Sequence, residues 1–340
     1  MAETNPNSRG GFTPRTKGGN NRKFNKDGVL TLVFIALIAI IIIVLIIFLV
    51  KALTSSKKPT PTDSTTTSAT TAATTSASGT TQGTTQSGSD VSGFDQVTFS
   101  YSEVSKGSLI VIDDVHSYIT PAGDDNTLVS LYNQPGFKES YRLRNARIAL
   151  RAEIVDSFSR LMSALKNKFR FSSMYGDYLL IQNAATVNDP NAVIDYNDEN
   201  SSGYSFDIRV YITASGKNRR LNEDEQAWLA ENCQAYGFVL RYEEGKEDKT
   251  GVLADLFHFR YVGIPHSMYM KQNNMCLEEY VEFVKNYSYS SPLTVRSGFR
   301  TYSIYYVAAT GASTRAYVPA GSVYTVSGNN IDGYIITVEK

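Results

Sequence analysis

Cysteine, histidine and tryptophan are all scarce in this chain. Two cysteines in 340 residues exclude a disulfide scaffold and any multi-cysteine zinc module. Three histidines leave room for one histidine-based metal site at most. Neither sign of charge is in excess: 33 Lys plus Arg balance 33 Asp plus Glu, which argues against a chain that coats nucleic acid. What is present is apolar. A hydrophobic content of 42% can bury a core, so a wholly disordered chain is excluded, and the length allows more than one unit.

Much of that apolar content is gathered in one run. From Val29 to Val50 no residue is charged and Thr31 is the only polar one. A helix of this length covers roughly 30 Å, the thickness of a bilayer's hydrocarbon core. A signal-peptide core is shorter, about 7–15 residues, and ends at a small-residue cleavage site, whereas this run ends in Phe48-Leu49-Val50-Lys51. Residues 29–50 are therefore expected to be a transmembrane helix. Before it, Arg9, Arg15, Lys17, Arg22, Lys23 and Lys26 outweigh Glu3 and Asp27, against Lys51, Lys57 and Lys58 after it. That bias predicts a single-pass protein of the cell membrane with residues 1–28 as a disordered cytoplasmic tail. Residues 54–93 hold 14 Thr and 9 Ser, too polar to order themselves, so 51–93 reads as a stalk with a span of roughly 35 Å. Everything functional then lies in 94–340, outside the cytoplasm.

The spacing there predicts a buried strand at Ser108–Asp113, an amphipathic helix over 140–168 and a strand from Tyr204 to Thr213. Asn222 is placed to cap a helix that stops at Gly237. Strands at Phe238–Tyr242 and Phe257–Val262 and a helix at Leu277–Lys285 follow. No regular βαβ repeat is visible, so the fold class expected is α+β, a small mixed or antiparallel sheet with flanking helices. The last residues, 291–340, read as a Tyr-rich β appendage to a domain at 94–290. Thr301–Val307, Ala316–Val318 and Tyr334–Val338 are strand-like, and Asn329–Gly333 supplies a turn.

Residues 227–263 read AWLAENCQAYGFVLRYEEGKEDKTGVLADLFHFRYVG, and 263–283 continue as GIPHSMYMKQNNMCLEEYVEF. This stretch resembles the VanY-type zinc D-Ala-D-Ala carboxypeptidases of bacterial cell-wall metabolism, and the likeness covers about 108–285. The resemblance implies a catalytic zinc held by the His and Asp of Ser-x-His-x-x-Gly-x-x-x-Asp and the His of Glu-x-x-His, whose Glu is the base. Asp207 and His258 match two of these ligands and Gly203 matches the motif glycine. Asn200 stands at the third ligand's position and Asp198 at the motif serine's. Asp255 stands at the base position, where the family has Glu, and Phe257 replaces a Trp. An Asn amide is a weak zinc ligand, and Asp is one methylene shorter than Glu. The upstream segment Ser172–Tyr178 lacks the Arg that the resemblance calls for; Tyr175, Gln182 and Arg260 are the substrate-binding candidates left. Three departures at one site imply a domain that engages peptidoglycan stem peptides with its hydrolytic activity lost or nearly lost. The alternative is an active zinc D,D-carboxypeptidase trimming terminal D-Ala, with zinc as cofactor; otherwise no cofactor is expected. A third reading is a structural or adhesive wall protein.

Weaker signals remain. His116 and His266 are candidates to replace the missing ligand. Ser163-x-x-Lys166, Lys249-Thr250-Gly251 and Ser327-x-Asn329 match serine D,D-peptidase motifs, though in the wrong chain order. Cys233 and Cys276 are equally compatible with a disulfide and with two buried thiols.

Overall fold

The structure is a computed structural model that describes residues 91–119, 127–172, 175–187 and 197–340. The chain divides into two units, residues 1–81 and 82–340, and every described residue belongs to the second. The expected tail (1–28), transmembrane helix (29–50) and all but the last three residues of the stalk (51–93) lie outside the described residues. Among the described residues no helix is long and apolar enough to cross a membrane.

The described elements begin with β1 (Phe94–Ser100), β2 (Leu128–Ser130), β3 (Arg142–Leu143), β4 (Ile148–Arg151), α1 (Val155–Phe169), β5 (Tyr178–Thr186) and β6 (Ser205–Ile212). They continue with β7 (Lys217–Arg219), α2 (Glu223–Asn232), β8 (Phe238–Tyr242), β9 (Asp255–Tyr261), α3 (Ile264–Gln272) and α4 (Leu277–Val284). Five strands close the chain: β10 (Leu293–Ser297), β11 (Arg300–Ala308), β12 (Ser313–Pro319), β13 (Tyr324–Gly328) and β14 (Gly333–Glu339). The main sheet runs β2-β4-β5-β6-β9-β8, with β3 beside β5 and β7 beside β6. Only the β3–β5 pair among these is parallel, so the sheet is mixed and the α+β expectation holds.

Helix α1 buries Phe158, Leu161, Met162 and Leu165, one stripe at helical spacing, against this sheet. Edge-on ring contacts carry the core from Tyr141 to Phe158, then to Phe206 and to Phe238. The helix predicted over 140–168 starts later than expected. Ile148, Ala149, Leu150 and Arg151 are all buried. A helix exposes one side of such a run, whereas an inner strand covers both faces. Arg151 is tolerated there because its Nε donates to the Ser202 carbonyl and Nη2 to the Tyr118 hydroxyl.

Asn222 caps α2 as its sequence implies: its side chain accepts from the Glu225 backbone N–H while the Glu225 carboxylate accepts from that of Asn222. A turn of 3₁₀ helix, Cys233–Tyr236, extends the helix to Gly237, whose φ is +85°. A Cβ there would stand 2.6 Å from the Tyr261 ring, so glycine is required twice over. Cys233 and Cys276 are free and buried, and burial pushes both thiols up to about 12.

Ser108–Asp113 is not a strand. Leu109 to Ile112 are buried, but their backbone groups are satisfied outside any ladder. Leu109 N–H donates to Ser327 Oγ and Val111 N–H to the Asn329 carbonyl, while the Val111 carbonyl accepts from Asn330 Nδ2. Continuous apolar character cannot tell a ladder from a threaded segment whose partners are side chains and turns.

The C-terminal strands form a sheet in the order β10-β11-β14-β13, and β12 pairs antiparallel with β1. Val262, Met270, Leu277, Tyr280 and Val284 share one buried cluster with Val295, Ile304 and Ile335, so residues on both sides of position 291 build a common core. His266 on α3 ties this core together: Nδ1 bonds to the Tyr280 hydroxyl at 2.7 Å and Nε2 to Thr337 Oγ1 at 3.1 Å. Burial lowers its pKa from 6.5 to about 3, so the folded chain keeps the imidazole neutral where the unfolded chain protonates it. Because the unfolded state then binds more protons, stability falls as pH drops from 6.5 towards 3, by at most about 1.4 kcal/mol per pH unit from this group. Urea unfolding followed by Trp228 fluorescence is expected to show that slope in the native chain and a shallower one in His266→Gln.

Candidate functional site

Strands β6 and β9 run antiparallel with Asp207 directly opposite His258, which puts the two side chains together on one face. Asp207 Oδ1 lies 2.7 Å from His258 Nδ1. The turn before β6, Glu199–Ser202, is started by Asp198, whose side chain accepts from the Asn200 N–H at 2.9 Å. Gly203 ends it at φ +75°, where a Cβ would meet the Leu128 side chain at 2.4 Å. This tight turn carries Glu199 beneath the histidine: Glu199 Oε2 is 2.9 Å from His258 Nε2.

The other carboxylate oxygen of Glu199 accepts from Arg241 Nε and from Arg260 Nη1, each at 2.7 Å. Arg241 also grips Glu278 on α4 with both terminal nitrogens. Arg260 Nη2 donates to the carbonyls of Ser108 and Ile110, which is why that segment is threaded here. Glu199, Arg241, His258 and Arg260 are all buried. The set holds three carboxylates, two guanidiniums and one imidazole.

Its protonation follows from this arrangement. Burial works against a charge on His258, but the hydrogen bonds to Asp207 and Glu199 prevail and raise it to about 9. Burial also works against ionised Glu199, yet Arg241, Arg260 and then His258 hold its carboxyl far below the usual range. Both nitrogens of the ring thus face carboxylates, and the cluster sets three acidic side chains against two guanidiniums and the imidazole.

A zinc ligand needs an imidazole nitrogen with a free lone pair, and here both nitrogens of His258 are engaged by carboxylates. Asn200, at the third ligand's position, is buried with its Oδ1 accepting from Ser205 Oγ at 2.9 Å. Among the described residues no three His, Cys, Asp or Glu side chains are disposed to hold a metal ion. The donor set does not fit zinc. Asp255, at the expected base position, begins β9 where the register with β8 shifts, and its Oδ1 accepts from the Phe257 N–H at 3.0 Å.

The remaining candidates scatter. Tyr175 is 88% exposed, and Gln182 sits at the bulge of β5 between Ile181 and Asn183. Arg260, expected at the substrate, is instead fully buried with its guanidinium engaged by Glu199 and backbone carbonyls. His116 bonds to Asp113, and His266 to Tyr280 and Thr337, so each is committed elsewhere. Of the serine motifs, Ser163 Oγ pairs with Ser140 Oγ, while Ser327 Oγ takes the Leu109 N–H and gives to the Gly328 carbonyl. The structure sets Asp207 against His258 and puts Asn200 in the turn before β6, and it adds Glu199, Arg241 and Glu278, which sequence reasoning missed. One signal was available: a charged residue inside the apolar strand Phe238–Tyr242 demands a buried partner.

Breaking a buried ion cluster by removing one charge costs about 3–5 kcal/mol. Glu199→Gln is expected to lose that much in urea unfolding, since it leaves Arg241 and Arg260 without their shared counter-ion. A loss below about 1 kcal/mol would show that the cluster does not hold the fold.

A family model, VanY, D-alanyl-D-alanine carboxypeptidase, matches residues 181–264. A D-alanyl-D-alanine carboxypeptidase of Enterococcus faecium is 32% identical over 249 residues, covering 71% of this chain and 78% of that protein. Another, from Enterococcus faecalis (strain ATCC 700802 / V583), is 36% identical over 85 residues, 25% of this chain and 31% of its own length. Among solved structures, the vancomycin resistance D,D-dipeptidase VanXYg in complex with a D-Ala-D-Ala phosphinate analog aligns with a TM-score of 0.55 at 22% identity. The alignment covers 73% of this chain and 99% of that one, and the likeness is one of fold.

Proposed function

The chain belongs to the VanY D-alanyl-D-alanine carboxypeptidase family, and from that premise we propose that it binds peptidoglycan stem peptides with hydrolysis lost or nearly lost. The observation that carries this reading is His258 held between Glu199 and Asp207 by both ring nitrogens, with Asn200 where the resemblance calls for a third ligand. Both nitrogens of that imidazole are engaged by carboxylates, and His116 and His266 are bonded elsewhere. Family membership supplies the ligand class: the relatives are named for cleaving D-alanyl-D-alanine, and one solved neighbour, VanYB, was captured in complex with D-alanine-D-alanine.

The apolar run 29–50 and its basic N-terminal flank support an anchor that displays residues 94–340 outside the cell membrane. Protease added to intact cells is then expected to digest 94–340 and to spare 1–28. Protection of the large domain would reverse the orientation.

The activity is tested on the purified full chain with a stem pentapeptide ending in D-Ala-D-Ala. Elemental analysis is expected to find far less than one zinc per chain, calorimetry to find the peptide bound, and no free D-Ala to accumulate. One zinc per chain together with steady D-Ala release would replace this reading by that of an active carboxypeptidase. Failure to bind the peptide would remove the stem-peptide role altogether.

A further inference from the structure

A cavity of about 710 Å³ is lined by neither Asp207 nor His258. Its floor is one face of the C-terminal sheet. The register pairs Tyr302 with Glu339 across β11 and β14, and Thr325 with Thr337 across β13 and β14. Strand alternation puts all four of these side chains on the same side, and all four border the cavity. The facing wall comes from the other sheet and the loop after β1: Glu153, Tyr261 and Lys106. The volume lies within the roughly 300–1,000 Å³ usual for small-molecule sites.

The chemistry of the lining narrows the ligand. Glu103, Glu153 and Glu339 border the cavity against Lys106 and Arg151. Arg151 keeps its charge while bonded to Ser202, Tyr118 and Thr127, and Arg300 pairs with Glu339 at 3.1 Å, so neither sign of charge is in excess. A neutral ligand suits that balance. Acceptor oxygens are plentiful: one oxygen of Glu153 takes the Tyr204 hydroxyl at 2.7 Å, and its second has no partner among the described residues. Half-buried tyrosine rings at 261 and 302 add flat apolar surface beside those acceptors. Flat apolar faces rimmed by hydroxyl donors describe a pyranose ring, and hydrogen bonds from its hydroxyls to carboxylates are the stronger, charge-assisted kind.

We propose that this cavity is a carbohydrate site that takes a short, neutral run of pyranose rings between Tyr302 and Tyr261, with Glu153 and Glu339 accepting from ring hydroxyls. It is a second site, separate from the His258 cluster, and does not depend on whether stem peptides bind.

The test is calorimetry of the full chain with two neutral probes, an N-acetylglucosamine tetramer and maltotetraose. At least one is expected to bind. Thr325→Trp, which fills the floor from an exposed position, and Tyr302→Ala are expected to weaken that binding by tenfold or more. Glu153→Gln, nearly isosteric, is expected to weaken it several-fold, and the Thr325→Trp chain is expected to keep its melting temperature. The proposal is overturned if neither sugar binds at millimolar concentration, or if Thr325→Trp melts normally and binds as the native chain does. It is also overturned if the stem pentapeptide, and not the sugar, is the ligand lost in Thr325→Trp.

Discussion

One carboxylate, that of Glu199, is shared by two buried guanidiniums and a buried imidazole. Its partners come from β8 and β9, and through Arg241 and Arg260 it reaches α4 and the threaded segment at 108–110. Each of these ions is expensive to remove from water alone, and each is tolerable only when the rest are in place. The stretches that meet here therefore have little freedom to drift apart. The fold is held at its centre by charge that closes on itself, surrounded by the aromatic contacts of Phe158, Phe206 and Phe238.

That cluster occupies the strand pair on which the family resemblance places two metal ligands. Asp207 and His258 still face each other across β6 and β9, so the scaffold has kept the geometry. What differs is where their lone pairs and protons are directed. Two carboxylates turned on one imidazole raise its proton affinity and engage both of its nitrogens. Fold and chemistry separate here along a handful of side chains, as they do in any widely used scaffold.

Local chemistry was legible wherever a residue's own neighbours decide its conformation. The Asn222 cap, the stop at Gly237, the strand Phe238–Tyr242 and the turn at Asn329–Gly333 all follow from such signals. The run 148–151 was not legible as a strand, because burial on both faces depends on what the rest of the chain places there. Ser108–Asp113 failed for a related reason: its hydrogen-bond partners, Arg260, Ser327, Asn329 and Asn330, are far away in sequence. At the site, motif spacing located Asp207, His258 and Asn200 but was silent on Glu199, which belongs to no ligand pattern. Its role becomes visible only when Arg241 and Arg260 are seen to need a counter-ion.

The pairing of β1 with β12 sets an order of events. Phe94 is matched with Pro319, so the first described strand meets its partner only after residues 313–319 have been made. During synthesis its open edge must wait, while α1 and the strands that follow can already associate. Long-range closure of this kind is slow compared with local pairing. Until then the N-terminal strand is a loose end, and the domain closes on itself only as β1 and β12 zip together.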